Sequence, residues 1–327
     1  QLLRKYPKTG GEKNLREAMI NFFSKRFNVL LDNSQIIPTF GTREVLFNFP
    51  QFLLFSIKNP VMAFTNPFYQ IYEGAAIASR AKIVHLDLLE ENSFLPKKES
   101  EVLKDCDLVI LNFPNNPTGA NMLLDELVEW VKLAQEYDFV LLNDECYSEI
   151  YTDIPPVSLL EAAIVAGVED FHNILVINSL SKRSSAPGLR SGFIAGDEVI
   201  LKEYLQYRTY VGAASGLPIQ KAAAVAWMDD THVEKFRKKY CENIELARSI
   251  LNYPTIEATF YVWIRVDDDL KSARVLLERY NIAVLPGSFL GRDGVGSGYI
   301  RIALVEEPSV MRAALENIAT YLKDMKR

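Results

Sequence analysis

The chain has 327 residues, 49% hydrophobic and 24% charged with a formal net charge of −6, an ordinary globular composition long enough for one large domain and a smaller one. Lysines and arginines are dispersed, so no basic stripe for nucleic acid is present, and the most apolar stretch, 47–57, is interrupted by Asn48, Pro50 and Gln51 and too short to cross a bilayer. Three scattered cysteines and three scattered histidines, with no C-x-x-C pair, indicate neither a disulfide framework nor a zinc site and leave small-molecule chemistry in the cytoplasm as the expectation.

In chain order, short runs rich in Val, Ile, Leu and Phe at 36–40, 61–64, 82–86, 108–112, 139–143, 174–178 and 193–195 predict seven strands. Helical patterns such as 15–27 and 123–137 intervene, and several of the strands lack polar alternation, as strands covered on both faces do. The class is α/β, with a mainly parallel seven-stranded sheet in a large domain. Beyond Pro218 a long helical stretch to about Leu251 precedes a smaller α+β domain with strands at 260–266 and 299–303. The expected division is 1–235 and 236–327.

Ligands of an open parallel sheet sit beyond the carboxyl ends of its strands, so the residues following each strand carry the functional signal. Gly41-Thr42-Arg43 follows the first strand and opens a helix, a seat for phosphate or an ordinary capped turn. Pro67-Phe68-Tyr69 follows the second and supplies an aromatic ring, and 112–119 is a proline-fixed turn containing Asn116. Asp144 and Tyr147 follow the fifth strand; Ser179 and Lys182 follow the sixth, with Arg190 eight residues beyond that lysine. Charges gathered at one sheet edge cost a fold several kcal/mol each unless partnered, roughly, which favours function over packing. A lysine amine forms a Schiff base with a carbonyl, and an aspartate keeps a pyridine nitrogen protonated; with a phosphate seat and a stacking ring, these make a site for pyridoxal 5′-phosphate (PLP).

Asn-Asn-Pro-Thr-Gly at 115–119, Asp-Glu-x-Tyr at 144–147 and Ser-x-Ser-Lys at 179–182, with the arginine after them, resemble the class I aminotransferases of PLP fold type I over nearly the whole chain. The resemblance implies Lys182 as Schiff-base lysine and proton shuttle, Asp144 as partner of the pyridine nitrogen, and Asn116 and Tyr147 as donors to the ring oxygen. It implies Tyr69 as the stacking ring, Gly41, Thr42, Arg43, Ser179 and Arg190 around the phosphate, and Arg301 with Asn116 on the substrate α-carboxylate. Tyr6 resembles the tyrosine that reaches the phosphate of a neighbouring subunit, which implies a homodimer with shared active sites. The arm that precedes this tyrosine in the family is expected to lie outside this sequence.

The phrases at 67–74, 143–151 and 181–190 are similar to bacterial N-succinyldiaminopimelate aminotransferases of lysine and peptidoglycan synthesis, which implies ping-pong transfer between glutamate and N-succinyl-2-amino-6-oxopimelate. An aspartate or other amino-acid aminotransferase is the alternative, and a PLP-fold binding or regulatory protein a more distant one. Arg208 is a candidate for a distal carboxylate, although a solvent-facing helix arginine is the simpler expectation. Ser179-x-x-Lys182 also fits a serine acylase in form, but its Lys-Thr-Gly element, 8–10, precedes the serine where it should follow.

Overall fold

The computed structural model describes residues 2–254 and 257–325. Seven strands, β1 (Ile36–Thr39), β2 (Val61–Asn66), β3 (Lys82–Asp87), β4 (Leu108–Leu111), β5 (Val140–Asp144), β6 (Ile174–Ser179) and β7 (Gly192–Gly196), form one sheet in the order β1-β7-β6-β5-β4-β2-β3. All lie within two residues of the predicted segments. The pairs β2–β3, β2–β4, β4–β5 and β5–β6 are parallel, while β7 runs antiparallel to both its neighbours.

The lack of alternation in the central strands has a direct cause. Leu141, Ile174 and Val176 face one core with Phe22 and Trp130, from helices Lys13–Phe27 and Leu124–Tyr137. Leu142, Leu175 and Ile177 face another, with Phe49 and Tyr204 from helices Thr42–Leu54 and Glu198–Val211. Helices cover both faces, so successive residues of a strand are all buried, and each large side chain contributes about 1.5–3 kcal/mol through that burial.

A second sheet, order β8-β10-β9, is antiparallel and joins β8 (Tyr261–Arg265), β9 (Leu285–Pro286) and β10 (Tyr299–Ala303). Val262, Ile264, Ile300 and Ile302 alternate into a third core with residues of helices Thr231–Leu251 and Pro308–Met325. Cys146, Tyr147 and Ile150, just after β5, also belong to this core, which places the segment after β5 at the seam between the two sheets.

Two expectations change. The long helical stretch is two helices, Leu217–Met228 and Thr231–Leu251, because the chain is extended at Asp229 and the Asp229 carboxylate accepts from the Thr231 N–H (2.9 Å), starting a new helix. The two-residue β9, ending in proline, was not foreseen. Residue 235 falls inside helix Thr231–Leu251.

Candidate active site

The parallel strands bring the carboxyl ends of β4, β5 and β6 side by side. Because β7 is reversed, it starts at the same edge, where Gly192 pairs with both Thr39 of β1 and Ser179 of β6. Arg190, two residues ahead of Gly192, is thereby delivered beside residues that follow strands. The close approach demands glycine: a Cβ on Gly192 would lie 2.5 Å from the Asn178 carbonyl oxygen and 2.9 Å from the Gly41 Cα.

A cleft of about 660 Å³ opens at this edge and is lined by Thr42, Arg43, Tyr69, Asn116, Asp144, Tyr147, Ser179, Lys182, Arg190 and Arg301, drawn together from six parts of the sequence. Gly41 lies directly behind it as the N-cap of helix Thr42–Leu54, at φ 87°, with no side chain capping the helix. A Cβ there would also crowd the Arg190 guanidinium, at 2.9 Å from Nη2. The result is an open helix N-terminus beside an arginine and the hydroxyls of Thr42 and Ser179, an arrangement that suits a phosphate. Arg190 is pinned by donating from Nη2 to the Phe40 carbonyl (2.5 Å) and from Nη1 to the Pro187 carbonyl (2.9 Å).

Asp144 ends β5 and is 5% exposed. Its Oδ1 accepts from the Cys146 N–H (3.2 Å), and its Oδ2 from the Tyr72 hydroxyl (3.3 Å). Burial pushes the carboxyl up to about 6, against the opposing pull of the hydrogen bonds from Cys146 and Tyr72 and the charge of Lys182. The Lys182 Nζ lies 5.8 Å from the Tyr147 ring centre and 5.4 Å from that of Phe260. Tyr147 is buried, and its phenol is held well above its usual range by burial first and by Tyr261 second. At the other wall, Arg301 Nη1 donates to Asn116 Oδ1 (2.6 Å) and the guanidinium lies 4.3 Å from the Tyr261 ring centre. Arg43 Nε donates to the Tyr69 hydroxyl (2.6 Å).

Two residues fall elsewhere. Tyr6 is wholly exposed and outside the cleft of its own chain. Arg208 is a correction: it is 1% exposed, not solvent-facing, and its Nε and Nη2 hold the two oxygens of Glu44 at 3.0 and 2.9 Å, with a further bond to the Thr9 carbonyl. Its fork is used inside the protein, buttressing the first turn of helix Thr42–Leu54, and not on a distal substrate group.

Sequence reasoning passed over Tyr72, Ser181 and Tyr261, all of which line the cleft. Ser181 was visible inside the Ser-x-Ser-Lys phrase, and Tyr72 lies one helical turn beyond Tyr69. Tyr261 gave no signal, because it looks like any apolar residue of a strand.

The site and fold have counterparts of known type. The profile of the aminotransferase class I and II family matches residues 1–318. The chain belongs to this family. Aminotransferases of class I are PLP-dependent enzymes that act on small amino and keto acids. Among solved structures, the chain is similar to the aminotransferase AspB of Helicobacter pylori, at 50% identity and a TM-score of 0.97 over 99% of this chain and 87% of that one. It is also similar to an aminotransferase of Neisseria meningitidis, at 41% identity and a TM-score of 0.93 over 98% of this chain and 86% of that one. A curated relative, the LL-diaminopimelate aminotransferase of Aquifex aeolicus, is 32% identical over 96% of this chain and 82% of its own length.

The cleft of this aminotransferase fits PLP by its donor set. A primary amine, a buried carboxylate, a phenol, an amide and an uncapped helix N-terminus with its arginine face one space, and the glycine at position 41 leaves room there for a phosphate. Among the described residues no helix is long and apolar enough to cross a membrane, and no group of His, Cys, Asp and Glu could hold a metal ion.

Proposed function

We propose that this aminotransferase moves an amino group from glutamate to N-succinyl-2-amino-6-oxopimelate, and the reverse, in ping-pong order, as a step of lysine and peptidoglycan synthesis. The observation that carries the chemistry is the convergence of Lys182, Asp144 and Arg301 on one cleft. Bound PLP supplies a conjugated cationic ring that accepts the electron pair left at the substrate Cα.

In this reading Lys182 holds the cofactor, takes the Cα proton and redelivers it within the cleft. Asp144 holds the protonated ring nitrogen; a cation against it favours the charged carboxylate and reverses the effect of burial. Asn116 spends its Oδ1 on Arg301, which leaves its Nδ2 as a donor towards the ring oxygen beside the Tyr147 hydroxyl. Tyr69 stacks on the ring, and Gly41, Thr42, Ser179 and Arg190 hold the phosphate. Arg301, whose Nε and Nη2 make no hydrogen bond among the described residues, takes the α-carboxylate as a bidentate pair.

Support for an acidic acceptor comes from charge. Arg43, Lys182, Arg190 and Arg301 line the cleft against the single carboxylate of Asp144. With a phosphate assigned to Arg190 and one carboxylate to Arg301, Arg43 is left for a further anionic group, as well as for the cofactor neighbourhood first expected of it. LL-diaminopimelate itself is the second reading, favoured by the names of the curated relatives. Glutamate should be assayed with the succinylated keto acid, its unsuccinylated counterpart and oxaloacetate. A kcat/KM at least tenfold higher for the succinylated acid is expected; equal or better turnover of either competitor would reject that assignment.

We further propose a homodimer in which Tyr6 reaches the partner's phosphate site. Its complete exposure and its position outside its own cleft support this role. The free thiols of Cys106, Cys146 and Cys241 suit the reducing cytoplasm.

A further inference from the structure

Tyr261 has a place in the cleft that none of the assigned roles uses. It sits on β8, diagonal to Arg301 on the adjacent β10, since Arg301 pairs with Trp263 two residues along. Both side chains therefore project from one face of the small sheet. The Tyr261 ring supports the Arg301 guanidinium at 4.3 Å, and its hydroxyl meets that of Tyr147 at 3.2 Å. Tyr147 and Tyr261 are each 6% exposed, so this contact is shielded from water and its electrostatics are strong. The same segment supplies Phe260, which flanks the Lys182 amine.

We infer that Tyr261 is a positioning residue that couples occupancy of the substrate-carboxylate arginine to the proton held at Lys182, acting through Tyr147. The inference rests on the roles proposed above for Tyr147 and Arg301. A hydroxyl has one proton to give. If Tyr147 donates towards the cofactor oxygen, the hydrogen bond between the two phenols must be donated by Tyr261. That bond polarises Tyr147 and makes it the stronger donor. An anion on Arg301 competes with the ring beneath it for the guanidinium charge and shifts Arg301 relative to Tyr261. The phenol pair feels that change, and with it the environment of the amine.

The test uses the PLP-loaded protein and its visible absorbance, titrated with pH in the absence and presence of saturating succinate, an unreactive dicarboxylate. In the native protein succinate should move the titration midpoint. Tyr261→Phe keeps the ring under Arg301 and removes only the hydroxyl. It should raise the midpoint without succinate, by about three- to tenfold in the proton equilibrium, the scale of one net hydrogen bond, and shrink the displacement caused by succinate. Tyr261→Leu removes the ring too and should in addition weaken succinate binding severalfold. Thermal melting of both variants verifies folding, and Tyr261→Phe is conservative enough to remain readable if Tyr261→Leu unfolds.

Native behaviour of Tyr261→Phe in both midpoint and succinate displacement would overturn the inference alone. Absence of any succinate effect in the native protein would instead overturn the roles of Arg301 and Tyr147, and the inference with them.

Discussion

Asp144 illustrates how position changes the properties of an ordinary side chain. Its carboxyl, held near 6 by burial, keeps a proton that the unfolded chain releases near pH 4. Between those values the folded state binds more protons than the unfolded state, so the contribution to stability is complete below about pH 4 and is lost as pH rises through 6. In the cofactor-free protein, Asp144→Asn should flatten this part of the pH dependence, worth on the order of 2–3 kcal/mol, in urea unfolding followed from pH 4 to 7. A residual downward slope should persist towards pH 8, because burial also pushes Glu145 up to about 8. An unchanged slope would mean that Asp144 is solvated. Residues at strand ends, such as Asp144 and Lys182, were legible because an apolar run announces the strand and the next polar residue announces the edge. Arg208 and Tyr261 were not, since their meaning comes from Glu44 and Tyr147, more than 100 positions away in each case.

At the level of elements, the proposed phosphate seat depends on a helix start that is braced from behind. Glu44, in the first turn of helix Thr42–Leu54, accepts from the Phe40 N–H (3.2 Å) and is clamped by Arg208 from helix Glu198–Val211. Arg208→Ala strands a largely buried carboxylate and should cost about 3–5 kcal/mol in chemical denaturation. The double variant with Glu44→Gln should recover part of that loss, and PLP affinity should fall in the single variant. A full-strength, fully stable Arg208→Ala protein would show that the brace is idle. The sheet itself was readable because both of its faces are covered, which writes the strands as uninterrupted apolar runs. Only a pair such as Leu285–Pro286 is too short to leave such a trace, and the turn at Asp229 was hidden by helix-forming residues on both sides.

At the scale of the molecule, the cleft lies where the segment after β5 leaves the large sheet and packs into the core of the small one. Asp144 belongs to the first structure, Tyr147 to the second core as well, and Arg301 to the second sheet. In the proposed mechanism reaction chemistry and substrate recognition therefore come from different layers, and the order of residues in the sequence conceals how near they end. The large sheet, with its reversed β7, brings Arg190 to the N-terminus of helix Thr42–Leu54; the small sheet brings Arg301 to Asn116. In the proposed mechanism Lys182 carries the cofactor in this cleft. Incubation with PLP, reduction with borohydride and peptide mass mapping test it directly. A phosphopyridoxyl group is expected on Lys182, absent after Lys182→Ala along with the visible absorbance; a stoichiometric label on any other lysine, or none at all, would rule that role out.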